Sequence, residues 1–493
     1  MCGPKASLPS QPMTTSSNQQ RARLAVSARE RNQEDRFATL DGLIAEQERL
    51  LVARMSRSRE LLESAKLSLA GGVSSNWQAA KPIPVWIDRG KGSHIWDADG
   101  TEYVDMHGCF GAMMVGHAHP AIVRAVTNQI SRGSHFAQPT ADLIPVTRSL
   151  AKRFGLPLWR LTNSGTEATM NAIHLMRQFT KRRRIIKIEG AYHGHHDSVQ
   201  VSIYPGKDEM GPAGRPNSVP TGAFLADETA ALTIVVPFGD LGALKWALET
   251  YRGDVAGMIV EPIMMGIGIV EPAPGYLTGA HALLKEHGAL LALDEVKTGF
   301  TVGPGGASAA MGLSPDLICL AKSLGGGLPC GAIGGTHQVM SLIEKGAYEQ
   351  VGTFNGNPLT LAAIRATLED ILTPEAYRHI EHLRRLMVDG CELVLRRYGI
   401  VGRVITSGAK GCVVFTAAPI RNYREFLQYD DRWGHAHWLF QHQGGVFLPP
   451  WGKCEQWMLS VQHTEEDANR FVRNLETFAC ALTDSRAVLS DCA

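Results

Sequence analysis

Seven short apolar runs, separated by stretches of helical periodicity, constrain this chain more than any other feature. They are WRLTN (159–163), RIIKIE (184–189), LTIVV (232–236), AGMIVEP (256–262), ALLALDEV (289–296), LICLAK (317–322) and GAIGG (331–335). Such short, nearly unbroken apolar runs suit strands buried on both faces. Strands spaced by helices join through crossovers into a mostly parallel sheet. The expected fold class is α/β, with a large domain whose mostly parallel seven-stranded sheet lies between helices. In such sheets ligands bind at the carboxyl ends of the strands, so the residue just past each run matters most.

A chain of 493 residues exceeds what one core sustains. Residues 1–35 are polar and read as a tail. From about Phe37 to Leu69 the apolar residues Leu40, Leu43, Ile44, Leu50, Leu51 and Met55 recur at helical spacing, as in a helix that packs on the body or on a second subunit. In PVWIDRGKGSHIWDADGTEYVDM, Gly100 marks a hairpin turn between two strands. Past about Ile371 two helical stretches and the runs GCVVFTA, GVFLPP and MLSV suggest a smaller C-terminal domain. The expected division is 1–57 tail and helical extension, 58–120 N-terminal part of a small domain, 121–370 large domain, and 371–493 C-terminal small domain.

With 49 basic and 48 acidic side chains the net charge is +1, which argues for neither nucleic acid nor an anionic membrane as partner. No apolar run approaches the roughly 20 residues of a membrane span. The N-terminus lacks the apolar stretch of a secretory signal, but holds Lys5, Arg21, Arg23 and Arg29 with no acid before Glu30. A cytoplasmic location is expected, with a mitochondrial transit segment as the alternative. Nine cysteines without Cys-x-x-Cys spacing read as reduced thiols, not as a disulfide frame or zinc site.

Five segments carry chemistry. In LTNSGTEATMNAIHLMR (161–177) a strand ends at Asn163 and a helix begins near Glu167. Free N–H groups there, with the hydroxyls of Ser164 and Thr166, suit a phosphate, and Gly165 permits close approach; a plain Ser/Thr N-cap is the other reading. In LLALDEVKTGF (290–300), Asp294 and Glu295 close an apolar strand. A carboxylate there needs a cationic partner, either a protonated pyridine nitrogen or, as alternatives, a metal or a helix terminus. In PDLICLAKSLGGGLPCGAIGG (315–335), Lys322 ends an apolar strand before Gly325, Gly326 and Gly327. Desolvation at a strand end lowers an amine's pKa, as Schiff-base chemistry needs; a snorkelling surface lysine is the rival reading. In EGAYHGHHDSV (189–199) no cysteine or carboxylate joins His193, His195 and His196 at zinc spacing, so no metal is expected. Tyr192 offers a face for stacking on a ring. In GTFNGNPLTLAA (352–363), Thr353 sits in a turn before a helix.

Together and in this order, NSGTEATMNA, YHGHHD, EP, DEVKTGF, LAKSLGGGLPCGAIGG and GTFNGNP resemble the class III aminotransferases of pyridoxal-phosphate (PLP) fold type I. Within them the chain is most similar to glutamate-1-semialdehyde aminomutase and its aminotransferase relatives. The resemblance runs from about Leu61 to the C-terminus. It implies PLP as cofactor and a small α/β domain built from N- and C-terminal segments. It implies that Lys322 forms the Schiff base and shuttles the proton, and that Asp294 meets the pyridine nitrogen. Val296 and Tyr192 flank the ring, and Gly165 and Thr166, with Ser164 beside them, hold the phosphate. Thr353 reaches the phosphate of a neighbouring subunit, so a homodimer is expected. The Gly/Pro-rich stretch 205–222 corresponds to a lid.

The chain departs from the mutase in GGVSSNWQAA. Gln78 stands where the mutase has the arginine that clamps the substrate carboxylate, Asn76 stands where a β-amino-acid aminotransferase places one, and Trp77 lies between them. In DEVKTGFT (294–301), Lys297 and Thr301 replace the apolar residue and the arginine of the family's DEVMTGFR. The expected function is therefore a ping-pong aminotransferase acting between an amine or amino acid donor and a carbonyl acceptor. The alternative is intramolecular transfer by a glutamate-1-semialdehyde 2,1-aminomutase. A PLP racemase or decarboxylase and a non-enzymatic PLP-fold binding module are the remaining rivals.

Overall fold

The computed structural model describes Gly3 and residues 39–449, 453–454 and 456–490, the side chains of 484–490 excepted. The expected tail and transit segment, Phe37, and the final Pro450 of GVFLPP lie outside the described residues. Three N-terminal strands come first: β1 (Ile87–Lys91), β2 (His94–Asp97) and β3 (Glu102–Asp105). They form an antiparallel meander, and Gly100, at φ +87°, turns the chain between β2 and β3.

Every one of the seven apolar runs becomes a strand: β4 (Leu158–Thr162), β5 (Arg184–Ile188), β6 (Thr233–Val236), β7 (Val255–Val260), β8 (Leu290–Asp294), β9 (Leu317–Ala321) and β10 (Gly331–Gly335). They form one sheet in the order β4-β10-β9-β8-β7-β5-β6. All pair in parallel except β10, which runs antiparallel to β4 and β9. Every residue of β7, β8, β9 and β10 is buried. Because side chains alternate across a strand, Leu290, Ala292, Leu317 and Cys319 face Ala168, Ala172 and Met176 of the helix Gly165–Thr180. Leu291, Leu293, Ile318 and Leu320 join the core on the opposite face. Two-sided burial explains the unbroken apolar runs: each buried Leu or Ile contributes about 1.5–3 kcal/mol, and a polar residue mid-strand would forfeit it.

The C-terminal part adds a hairpin, β11 (Arg403–Ser407) and β12 (Lys410–Val414), with β13 (Val446–Phe447) and β14 (Gln456–Met458). β14 pairs with β12, whereas β13 adds in parallel to β3, so the N-terminal meander is completed by residues from near the other end of the chain. The N-terminal extension is helical over residues 39–54 and again over Ser56–Ala65. Leu40, Leu51 and Met55 are fully buried against the body, with Asp41 and Glu48 paired to Arg432 and His435 of the helix Asp431–Gln443. No helix among the described residues is long and apolar enough to cross a membrane.

Candidate active site

Adjacent parallel strands β8 and β9 end in the two charged residues singled out above. Asp294 closes β8 and is 4% exposed. Its Oδ2 lies 2.7 Å from His193 Nδ1, and its Oδ1 accepts a hydrogen bond from the Val296 N–H at 3.0 Å. His193 is itself buried, and its Nε2 has no hydrogen-bond partner among the described residues. His195 and His196 turn elsewhere, to Gln200 and Thr169. Glu295, beside Asp294, faces the opposite way and accepts from Thr298, Ala307 and Ser308, so it anchors a loop. Burial pushes its pKa up, against those hydrogen bonds.

Lys322 follows β9 directly, at φ +51°, a conformation uncommon for a side chain larger than glycine. Its pKa is pulled down to about 8, first by burial and then by the nearby Lys297 charge, with Asp294 and Glu261 acting in the opposite sense. Its ammonium lies 5.8 Å from the Phe110 ring centroid. Phe110 and its neighbour Cys109 also hold positive φ.

The phosphate cradle forms where β4 meets the helix Gly165–Thr180. Ser164 is a true N-cap: its Oγ accepts from the Glu167 N–H at 3.1 Å, while Glu167 Oε2 accepts from the Asn163 N–H at 2.7 Å. The cap starts the helix two residues earlier than the position of Glu167 suggested. The N–H groups of Gly165 and Thr166 have no acceptor among the described residues, which leaves them for an anion. A Cβ on Gly165 would lie 2.9 Å from Val296 Cγ1, so only glycine lets the helix start approach the strand end this closely.

These residues line one cavity of about 350 Å³, shared by Ser164, Gly165, Thr166, Tyr192, His193, Asp294, Val296 and Lys322. PLP fits it on the residues alone: unpaired helix N–H groups for the phosphate, a buried carboxylate with an unsatisfied histidine behind it, a valine flank, and an amine of lowered pKa. Beyond Lys322 a second cavity of about 940 Å³ opens, lined by Trp77, Phe110, Tyr192, Lys297, Lys322 and Lys410 among others. Residues 39–54 contribute Asp41, Ile44 and Glu48 to its wall.

Not every expected residue gathers here. Trp77 lines the larger cavity, 5.5 Å from Phe110 and 5.9 Å from Tyr192 between ring centroids. Gln78 lines neither cavity; its Oε1 accepts from the N–H and hydroxyl of Ser74. Thr353 is exposed and lines neither cavity, although Asn355 of the same turn bonds Asn163 at 2.9 Å. Residues 205–222 form no helix, only an isolated bridge at Pro220, and are tied down by Tyr423 and Arg424, the latter also paired to Glu189. Three contributors were not anticipated: His193 as the partner of Asp294, Glu261 as the partner of Lys297 at 3.1 Å, and Lys410. The YHGHHD and EP motifs flagged the first two positions, but not what they would touch.

The protein-family model for aminotransferase class-III matches residues 76–461. A glutamate-1-semialdehyde 2,1-aminomutase 2 from Brevibacillus brevis is 37% identical over 421 residues, 84% of this chain and 96% of that one. The crystal structure of an omega-transaminase from Sphaerobacter thermophilus superposes with TM-score 0.80 at 32% identity, covering 87% of this chain and 98% of that one. A glutamate-1-semialdehyde-aminomutase from Pseudomonas aeruginosa PAO1, solved in complex with PMP, gives TM-score 0.82 at 29% identity, over 90% and 99% of the two chains. Fold and cavity thus define an enzyme of PLP fold type I, with pyridoxal phosphate as its cofactor. The chain belongs to the class-III aminotransferase family.

Proposed function

We propose that this enzyme is an intermolecular aminotransferase working by a ping-pong mechanism between an amine or amino acid donor and a carbonyl acceptor. When bound, PLP supplies an aldehyde carbon that takes the amino group and a ring that withdraws electrons from it. Gly165 and Thr166 hold the phosphate through their free N–H groups, with Ser164 ordering the turn. Asp294, braced by His193, keeps a proton on the ring nitrogen. Val296 and Tyr192 hold the ring between them. The Lys322 amine, at the end of β9, would be the group that holds the cofactor and moves a proton at the donor's amine-bearing carbon. The observation that carries the reading is that Lys322 and Asp294, at the ends of neighbouring strands, open onto one cavity with the free helix N–H groups.

Intermolecular transfer is supported on the substrate side. The position of the mutase's clamping arginine is Gln78, which spends its side chain on Ser74, and the adjoining cavity is roomy, with Trp77, Phe110, Tyr192 and Tyr204 among its lining. The names of curated relatives that are 36–37% identical favour the second reading, glutamate-1-semialdehyde 2,1-aminomutase.

We also propose a homodimer in which Thr353 serves the partner's phosphate site. Ile130, Phe136, Ile144, Val351 and Phe354 are apolar yet 49–80% exposed. They lie on and around the packed helices Pro120–Ile130, Leu143–Phe154 and Pro358–Ala366. Exposed apolar residues gathered on these helices support a subunit interface there.

The test offers purified enzyme aryl and alkyl amines, β-amino acids and glutamate-1-semialdehyde, with and without an added keto acid. Turnover that requires the keto acid is expected. Efficient isomerisation of the semialdehyde with no acceptor present would overturn the reading and establish the mutase.

A further inference from the structure

The 940 Å³ cavity needs a way to recognise an acid if its substrates include amino acids, and Gln78 does not supply one. Of its other cations, Lys81 is exposed to solvent, and the rest are mostly committed. Lys297 is paired to Glu261 at 3.1 Å. The Lys453 ammonium donates to the carbonyls of Leu427 and Tyr429. Arg432 holds Asp430 and Asp41. Lys322 is reserved for the chemistry.

Lys410 is different. It is 4% exposed, lines this cavity, and its ammonium has neither a hydrogen bond nor an ion pair among the described residues. An ammonium left without a partner in such a place is costly. Burial, with the Lys322 and Lys297 charges, draws its pKa down to about 7.

The backbone presents this side chain rigidly. Lys410 opens β12 two residues after Gly408, the hairpin tip, at φ +58°. The Ala409 N–H donates to the Thr301 carbonyl at 2.7 Å, and the Ala409 carbonyl accepts from the Leu459 N–H at 2.8 Å. Thr301, which follows DEVKTGF where the family has an arginine, thus seats the hairpin tip. Gly111, at φ +101°, makes the room: a Cβ there would lie 2.9 Å from Lys410 Nζ and 4.0 Å from Lys322 Cδ. Lys410 therefore reaches the same part of the cavity as the Lys322 side chain, and Phe110 and Trp77 line that cavity with it.

We propose that Lys410 is the group that binds the substrate's carboxylate, so that the enzyme takes amino acids and keto acids whose acid group lies beside the reacting carbon and whose apolar body fills the aromatic part of the cavity. The substrate anion then supplies the counter-charge that Lys410 lacks. This rests on the aminotransferase reading and names its substrate class.

The test is calorimetric titration of the PLP-loaded enzyme with 3-phenylpropanoate, an acid with no amine to transfer, and with the neutral 3-phenylpropanol. Neither probe depends on turnover, so the result stands apart from whether transamination is observed. The wild type is expected to bind the acid at least tenfold more tightly than the alcohol. Lys410→Met should remove that preference while shifting the alcohol less than twofold, and Lys410→Arg should restore part of it. Equal binding of acid and alcohol by the wild type would overturn the proposal whatever the variants do. So would a Lys410→Met enzyme that keeps the preference or loses both probes alike.

Discussion

Gly165→Ala adds one methyl group at the point where the phosphate cradle touches the strand that bears Asp294. The new Cβ would stand 2.9 and 3.0 Å from the two Val296 methyls and 3.5 Å from Ala321 Cβ, whereas carbon atoms rest at about 3.5–4.0 Å. Val296 must yield by roughly half an ångström or more, and overpacking of this kind costs about 1–3 kcal/mol. Val296 lines the cofactor cavity, so its displacement is felt by the ring it flanks. At about 1.4 kcal/mol per tenfold, PLP should bind about 5- to 150-fold more weakly. The assay is titration of the apoenzyme with PLP, read by fluorescence, with thermal melts of apo and loaded protein alongside. Val296→Ala removes the methyls that collide. The double variant should therefore recover much of the affinity that Gly165→Ala loses, with a coupling of about 1 kcal/mol or more between the two sites. A Gly165→Ala enzyme that binds PLP as the wild type does would refute the reasoning, as would losses from the two single changes that simply add.

Asp294→Asn keeps the side chain's shape but removes its charge; steady-state turnover should fall by about two to three orders of magnitude with PLP still bound, and unchanged kinetics would exclude Asp294 from the mechanism. Because the Lys322 pKa is lowered to about 8, its neutral amine is abundant above that pH. Capture of PLP by the apoenzyme should accordingly level off there instead of climbing towards the ordinary lysine value of about 10.4, and Lys322→Ala should leave no covalent adduct after borohydride reduction. Light scattering of the PLP-loaded enzyme should show a dimer or larger, with Phe354→Asp shifting it towards monomers that hold PLP poorly; a fully active monomer would contradict the interface.

The sheet was legible because its strands are buried on both faces, which leaves apolar runs that no amphipathic helix would show. Lys322 and Asp294 were legible for the same reason, as charges placed at the ends of such runs. The contact of His193 with Asp294 joins residues 101 apart in sequence, and nothing local in YHGHHD distinguishes the histidine that points inward from the two that do not. Gln78 was noticed by its position, but where its side chain turns is decided by Ser74 and the short 3₁₀ turn Asn76–Gln78. Lys410 lies between Ala409 and Gly411 with no periodicity to mark it; its importance comes from Gly111, 299 residues earlier in the chain. The helix of residues 39–54 was expected from its spacing, yet an amphipathic face does not say which surface it will cover.

That helix has a consequence for how the enzyme is made. The residues that line the PLP cavity run as far as Cys330, and β10, which joins β4 to β9, ends at Gly335. The larger cavity is walled by the first described helix, through Ile44 and Glu48, and by residues from Lys410 to Met458 near the other end. The earliest-synthesised part of the wall must therefore wait for the latest, because Asp41 and Glu48 pair with Arg432 and His435. Contacts of such long sequence separation form late. The wall of the larger cavity thus closes only after the last strand of the central sheet has been made.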